Sequence, residues 1–208
     1  FFIVGFPGET KEQMMETVEF AKSLGADWCF FGVAVPLIGS EMYDQFADLG
    51  VITKDTEQWA NTVYGTRSFD TKEISPEEIE ALAYRTNLDV NFLNNSNFKL
   101  KQYDRVIEIF KDIVVKYPFH IFAHYCMAKA HALSGDHASA SECSAEMVRL
   151  IETDRRSRAM YRKYGDLLPD VVELLSDKDL DEVSLNDARH ISDRLALRLE
   201  QSLSLSAG

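Results

Sequence analysis

The chain has 208 residues, 46% of them apolar, and carries 34 acidic against 22 basic residues for a formal net charge of −12. That is enough apolar material for one medium core or two small ones. The acidic balance argues against a phosphate-tracking surface, so neither nucleic acid nor an anionic membrane is an expected partner. No apolar run approaches the roughly 18 residues that span a bilayer. The apolar start is too short, and lacks the basic lead, for a signal peptide. Cys29, Cys126 and Cys143 are odd in number and widely spaced. They show neither a disulfide framework nor metal spacing and read as buried free thiols of a reducing, cytoplasmic compartment.

Phe1-Phe-Ile-Val4 is an apolar strand that runs into Gly5-Phe-Pro-Gly-Glu-Thr10. A strand this apolar is normally covered on both faces, as in a parallel sheet. With no initiator Met and no polar lead-in, the chain reads as starting inside a βα unit, and an N-terminal part of a parent protein is an expected partner. Thr10 and Gln13 have the spacing of a capping box, opening a helix from about Lys11 to Leu24. Its apolar stripe is Met14, Val18 and Ala21, with Met15 and Leu24 beside them. Gly25 stands where a left-handed cap is expected. Trp28 to Val35, bounded by Asp27 and Pro36, reads as a second buried strand. Strand, helix and strand in this order predict one right-handed parallel crossover. Such a unit cannot cover its own sheet, so further strands or a second copy of the chain are expected at its edges. The Gly5-Phe-Pro-Gly8 turn lies at the carboxyl end of the first strand, where parallel α/β sheets bind ligands. A purely structural turn explains that segment about as well.

Read together, Gly5-Phe-Pro-Gly-Glu-Thr10 and Pro36-Leu-Ile-Gly-Ser-Glu-Met-Tyr43 resemble the late strands of radical S-adenosylmethionine enzymes. The resemblance is nearest to the branch that often carries an N-terminal cobalamin domain, and it covers residues 1 to about 50. It implies the late βαβ portion of a partial TIM-like barrel. Gly5, Phe6, Pro7, Gly8 and Glu9 would lie beside the methionine or adenosine part of the cofactor, with Pro36 and Gly39 shaping the far side of the cleft. Ser40 stands where that family usually has Thr and keeps the hydroxyl. The Cys-x-x-x-Cys-x-x-Cys loop that holds the family's [4Fe–4S] cluster is absent from this chain. Without it the chain alone cannot deliver an electron to the sulfonium. The cluster ligands are therefore expected upstream, with cobalamin a further cofactor of the parent.

Residues 51–76 read as an irregular bridge with Trp59 and Tyr64 as scattered aromatics. Ser75-Pro-Glu-Glu-Ile79 then gives a strong helix start: an N-cap, proline at N1 and acids in the first turn. Residues 77–208 read as a helical domain. An internal repeat with an offset of 34 residues aligns Val106 with Ala140, Phe110 with Ser144, Ile113 with Met147 and Leu93 with Met127. With Ala128, Gly135 and Asp136 at small-residue positions, residues 80–152 resemble two tetratricopeptide hairpins. His120, His124 and His131 fall within roughly 40° of one another on a helix. That spacing permits a metal site, but the repeat positions favour packing roles, and no metal ligand is assigned. Asp154-Arg-Arg-Ser-Arg158 reads as a solvated helix face pairing with local carboxylates. Leu185, Ala188, Ile191, Leu195 and Leu199 form the stripe of a last helix over 184–203.

The expected fold class is thus an α/β N-terminal piece followed by an all-α, tetratricopeptide-like domain, helical for the most part. The expected function is that of a C-terminal portion of a radical S-adenosylmethionine enzyme. It would contribute part of the cofactor site and a helical domain for substrate or partner. The chain offers no catalytic acid, base or nucleophile. The competing reading is a protein- or peptide-binding repeat module without catalytic activity. A complete small α/β protein is the weakest reading, because no second set of β-branched runs follows residue 50.

Overall fold

The structure is a computed structural model and describes residues 1–53 and 67–171. The chain divides into two compact units, Phe1–Ser96 and Asn97–Gly208. The helical domain read from the sequence starts at residue 77, inside the first unit. The expected fold class holds: an α/β start with one small parallel sheet, then helices.

In the first unit, β1 (Phe2–Val4) pairs in parallel with β2 (Phe31–Val33), Phe2 opposite Phe31 and Val4 opposite Val33. The crossover between them is α1 (Lys11–Ser23). Its start is the expected capping box: the Gln13 N–H donates to Thr10 Oγ1 at 3.3 Å, and the Thr10 N–H donates to Gln13 Oε1 at 2.9 Å. Met14, Val18 and Ala21 are buried, whereas Met15 and Leu24 face solvent. The buried stripe is therefore narrower than the one read from the sequence.

Only one face of the sheet is covered. Val4 joins Met14, Ile74 and Ile79 in one cluster, and Phe2 and Phe31 lean on a second cluster of Val18, Ala21, Cys29 and Val90. On the other face Ile3 and Phe30 are about half exposed. Among the described residues the sheet thus leaves one face half open, in line with the reading that this unit cannot cover its own sheet.

The second strand is also shorter than the expected Trp28–Val35. Its start is held by a side chain instead of a strand. The Cys29 N–H donates to Asn91 Oδ1, and Asn91 Nδ2 donates to the Cys29 carbonyl, both at 2.7 Å. Asn95 Nδ2 and Ser96 Oγ bind the carbonyls of Asp27 and Ala26 at 3.1 and 3.0 Å. These donors come from a π-helical turn, Leu88–Leu93, and the residues just after it. The turn continues α3 (Pro76–Asn87), which opens with a second capping box at Ser75 and Glu78 and packs on β2. The start of the stretch 80–152, read as two tetratricopeptide hairpins, is thus engaged with the sheet. Lys22 ties α1 to the same turn through Asp89 at 2.5 Å. Between sheet and bridge lies α2 (Glu41–Asp48), capped by Ser40.

In the second unit a short turn, α4 (Ser96–Lys99), leads into α5 (Tyr103–Lys116), α6 (Ile121–Ser134) and α7 (His137–Thr153). Consecutive helices pack through short connections, and α6 is the middle one. That position explains its composition: Ile121, Phe122, Ala123, Cys126, Ala128 and Ala130 are all fully buried, so most of the helix surface is apolar. The repeat partners Val106 and Ala140 are equally buried, as are Phe110 and Ser144.

Next comes α8 (Arg155–Tyr164), followed by a 3₁₀ turn, Gly165–Leu167. The basic run does more than face solvent. Asp154 caps α8 through the Arg156 and Ser157 N–H groups, Arg158 donates to the Ile151 and Glu152 carbonyls at the end of α7, and Arg156 lies 4.1 Å over the Phe119 ring. The predicted helix over 184–203, Trp59 and Tyr64 lie outside the described residues. Among the described residues no helix is long and apolar enough to cross a membrane.

Candidate functional site

The Gly-Phe-Pro-Gly-Glu segment leaves β1 and turns directly into the capped start of α1. It is held from within. One Glu9 carboxylate oxygen accepts the N–H groups of Gly5 and Phe6, so Glu9 closes a ring around its own loop. Glu9 is thereby a loop clamp as well as a lining residue.

The two glycines of the segment differ. Gly5 sits at φ +83° with Ile79 Cδ1 and Arg67 Nη2 packed where its Cβ would stand, so its role is to admit those neighbours. Gly8 sits at φ +75° with nothing within 4 Å of the same position. There the backbone is open to a ligand. Gly39, in the loop before α2, is likewise open, and Pro36 is buried.

A cleft of about 640 Å³ lies beside the segment. It is lined by Phe6, Pro7, Gly8 and Glu9 and by one flank of α1, Gln13, Glu16, Thr17 and Phe20. Those four recur at helical spacing next to the buried stripe. Of the seven residues the resemblance implies, the cleft brings together Phe6 to Glu9. Gly5, Pro36 and Gly39 do not line it.

Arg67 was not legible as a site residue in the irregular bridge. It is 4% exposed and reaches the carboxyl ends of both strands. Its Nη2 donates to the Gly5 carbonyl and, at 3.4 Å, to the Ala34 carbonyl. The guanidinium also lies 5.5 Å over Phe46 and 5.3 Å over Phe69. Burial lowers its pKa from the ordinary arginine range, and the charge of Glu9 opposes that shift.

S-adenosylmethionine combines a sulfonium cation with a flat base. The cleft suits such a group: Glu9 and Glu16 offer negative charge, Phe6 and Phe20 offer ring faces, and the open Gly8 backbone lets a ligand approach. The [4Fe–4S] cluster does not fit this chain's residues. Burial pushes the Cys126 thiol well up and the Cys143 thiol up to about 11, the opposite of what a thiolate ligand needs. Among the described residues no group of three or more His, Cys, Asp or Glu side chains is placed to hold a metal.

The histidines have protein partners. His120 Nδ1 accepts the Ala123 N–H at 3.3 Å, His124 Nε2 meets the Pro118 carbonyl at 3.0 Å, and His131 Nδ1 lies 3.3 Å from Asp136 Oδ2.

Over 43 residues the chain is 42% identical to an uncharacterized methyltransferase of Pyrococcus horikoshii. The match spans 21% of this chain and 9% of that protein's length. No protein-family profile and no solved structure matches the chain.

Proposed function

We propose that this chain is part of an S-adenosylmethionine-dependent enzyme of the radical type and contributes the Phe6–Glu9 wall of the cofactor site. The observation that carries the reading is the open Gly8 backbone over a cleft of acidic and aromatic side chains, at the carboxyl end of a parallel strand. The short stretch shared with a protein named as a methyltransferase supports a cofactor of this kind.

When bound, S-adenosylmethionine would supply a sulfonium whose methyl group can pass to a nucleophile, or whose C5′–S bond breaks to a 5′-deoxyadenosyl radical and methionine on receiving one electron from a cluster outside this chain. This chain's residues bind and orient. Gly8 admits the ligand to the backbone, Glu9 keeps the loop in shape, and Phe6 and Phe20 cover the apolar part. The [4Fe–4S] ligands lie outside this chain, and cobalamin belongs to the same parent in this reading. The half-exposed sheet face at Ile3 and Phe30 is covered by further strands of the parent or by a second copy. The helical unit recognises substrate or partner.

A second reading, a repeat module for a protein or peptide, is favoured by the stacked α5, α6 and α7. It leaves the cleft without a role.

The test uses the product of the complete reading frame, purified without oxygen. Iron and sulfide are measured, then 5′-deoxyadenosine after reduction in the presence of S-adenosylmethionine. Iron with cofactor cleavage is the expected result. Neither iron nor cleavage would leave the repeat module as the better account.

A further inference from the structure

We propose that Arg67 is the anion-receiving group of the first unit and takes a carboxylate at the carboxyl ends of β1 and β2. The argument is an imbalance of donors and acceptors. Arg67 is buried and Nη2 has partners, whereas among the described residues nothing accepts from its buried Nε and Nη1. The Tyr43 hydroxyl is also buried and has no hydrogen-bond partner among the described residues. Both side chains border Phe46, Tyr43 in the same apolar cluster and Arg67 over the ring.

A buried cation with free N–H groups is costly unless something accepts from it. The Glu9 oxygen that forms hydrogen bonds is committed to the Gly5 and Phe6 N–H groups. Glu9 lends its charge to Arg67 from nearby, but among the described residues no oxygen accepts from Nε or Nη1. A carboxylate meets that need, since it accepts only and takes several donors at once. The guanidinium lies over the rings of Phe46 and Phe69 in a buried setting, where an ion contact is stronger than in water.

The carboxylate has two candidate sources, the methionine portion of S-adenosylmethionine and a separate acid substrate. The first test depends on neither, so this inference and the cofactor reading can fail separately.

The ¹⁵N-labelled product of the complete reading frame is titrated with sodium acetate and, at equal ionic strength, with sodium chloride. The readout is the Arg67 Nε–H resonance, identified by its loss in Arg67→Lys. A saturable shift with acetate alone is expected. No movement, or equal movement with both salts, overturns the proposal. Tyr43→Phe keeps the ring and leaves the Arg67 signal observable. It should weaken acetate binding by roughly 2- to 10-fold, and unchanged binding removes Tyr43 from the site.

The source is then read on the complete reading frame with S-adenosylmethionine and its decarboxylated analogue. If the cofactor supplies the carboxylate, Arg67→Lys weakens the former and spares the latter. If a separate acid supplies it, both affinities are unchanged.

Discussion

The two units are built on different principles. The first has a three-residue pair of strands and relies on side chains that grip backbone: Asn91 on Cys29, Glu9 on Gly5 and Phe6, Arg67 on Gly5 and Ala34. It also leaves large apolar groups in water, among them Phe1, Phe6, Phe20, Trp28, Phe30, Leu37 and Ile38. The second is a helical stack whose middle helix is buried over most of its surface. Polar ties are directional and hold a loop in one shape, while apolar stacking supplies stability with little control over a ligand-facing backbone. The contrast explains why the candidate site belongs to the first unit.

The sharpest way to break the comparison is in the stack. Phe110 is fully buried in α5, so Phe110→Ala should cost about 3–5 kcal/mol. Hydrogen exchange should rise across residues 103–164 and stay unchanged around β1 and α1. Loss of protection in both units at once would erase the distinction.

Acid should reach the second unit next. Burial lowers the His120 pKa from 6.5 to about 4, and its neutral Nδ1 caps α6. The folded value lies below the unfolded one, so this contribution is present above pH 6.5 and is lost as pH falls toward about 4. The gap corresponds to about 3 kcal/mol. Thermal unfolding of the second unit should track that window. His120→Asn keeps a cap acceptor and should flatten the curve; a curve that keeps its slope assigns the acid loss to other groups.

Within the first unit the two loop glycines should separate. Gly5→Ala meets Ile79 and Arg67 at a left-handed φ and should cost at least about 1–3 kcal/mol. Gly8→Ala meets open space and should cost only about 1 kcal/mol, from its left-handed φ. Denaturant midpoints of both variants measure the difference, and equal midpoints would make Gly8 as structural as Gly5. Thr10→Ala removes the cap of α1 and should cost about 1 kcal/mol on the same scale.

What the sequence made legible follows from how local each signal is. Thr10 with Gln13 and Ser75 with Glu78 announce helix starts because their partners lie three residues away. The Phe6–Glu9 wall was readable as a turn after an apolar strand. The length of β2 was not, because Asn91 intercepts Cys29 from 62 residues further along the chain. Arg67 gives no local sign either: a lone arginine in a polar stretch looks solvated until the fold brings Gly5 and Ala34 to it. The arginines after Asp154 look like a solvated face in sequence for the same reason, although Arg158 closes the end of α7.

The measurement closest to the central claim is a calorimetric titration of the complete reading-frame product with S-adenosylmethionine, comparing the unaltered protein with Gly8→Val. The account predicts saturable binding by the former and its loss in the variant, with helical content preserved. Equal binding by both would take the Phe6–Glu9 loop out of the cofactor site.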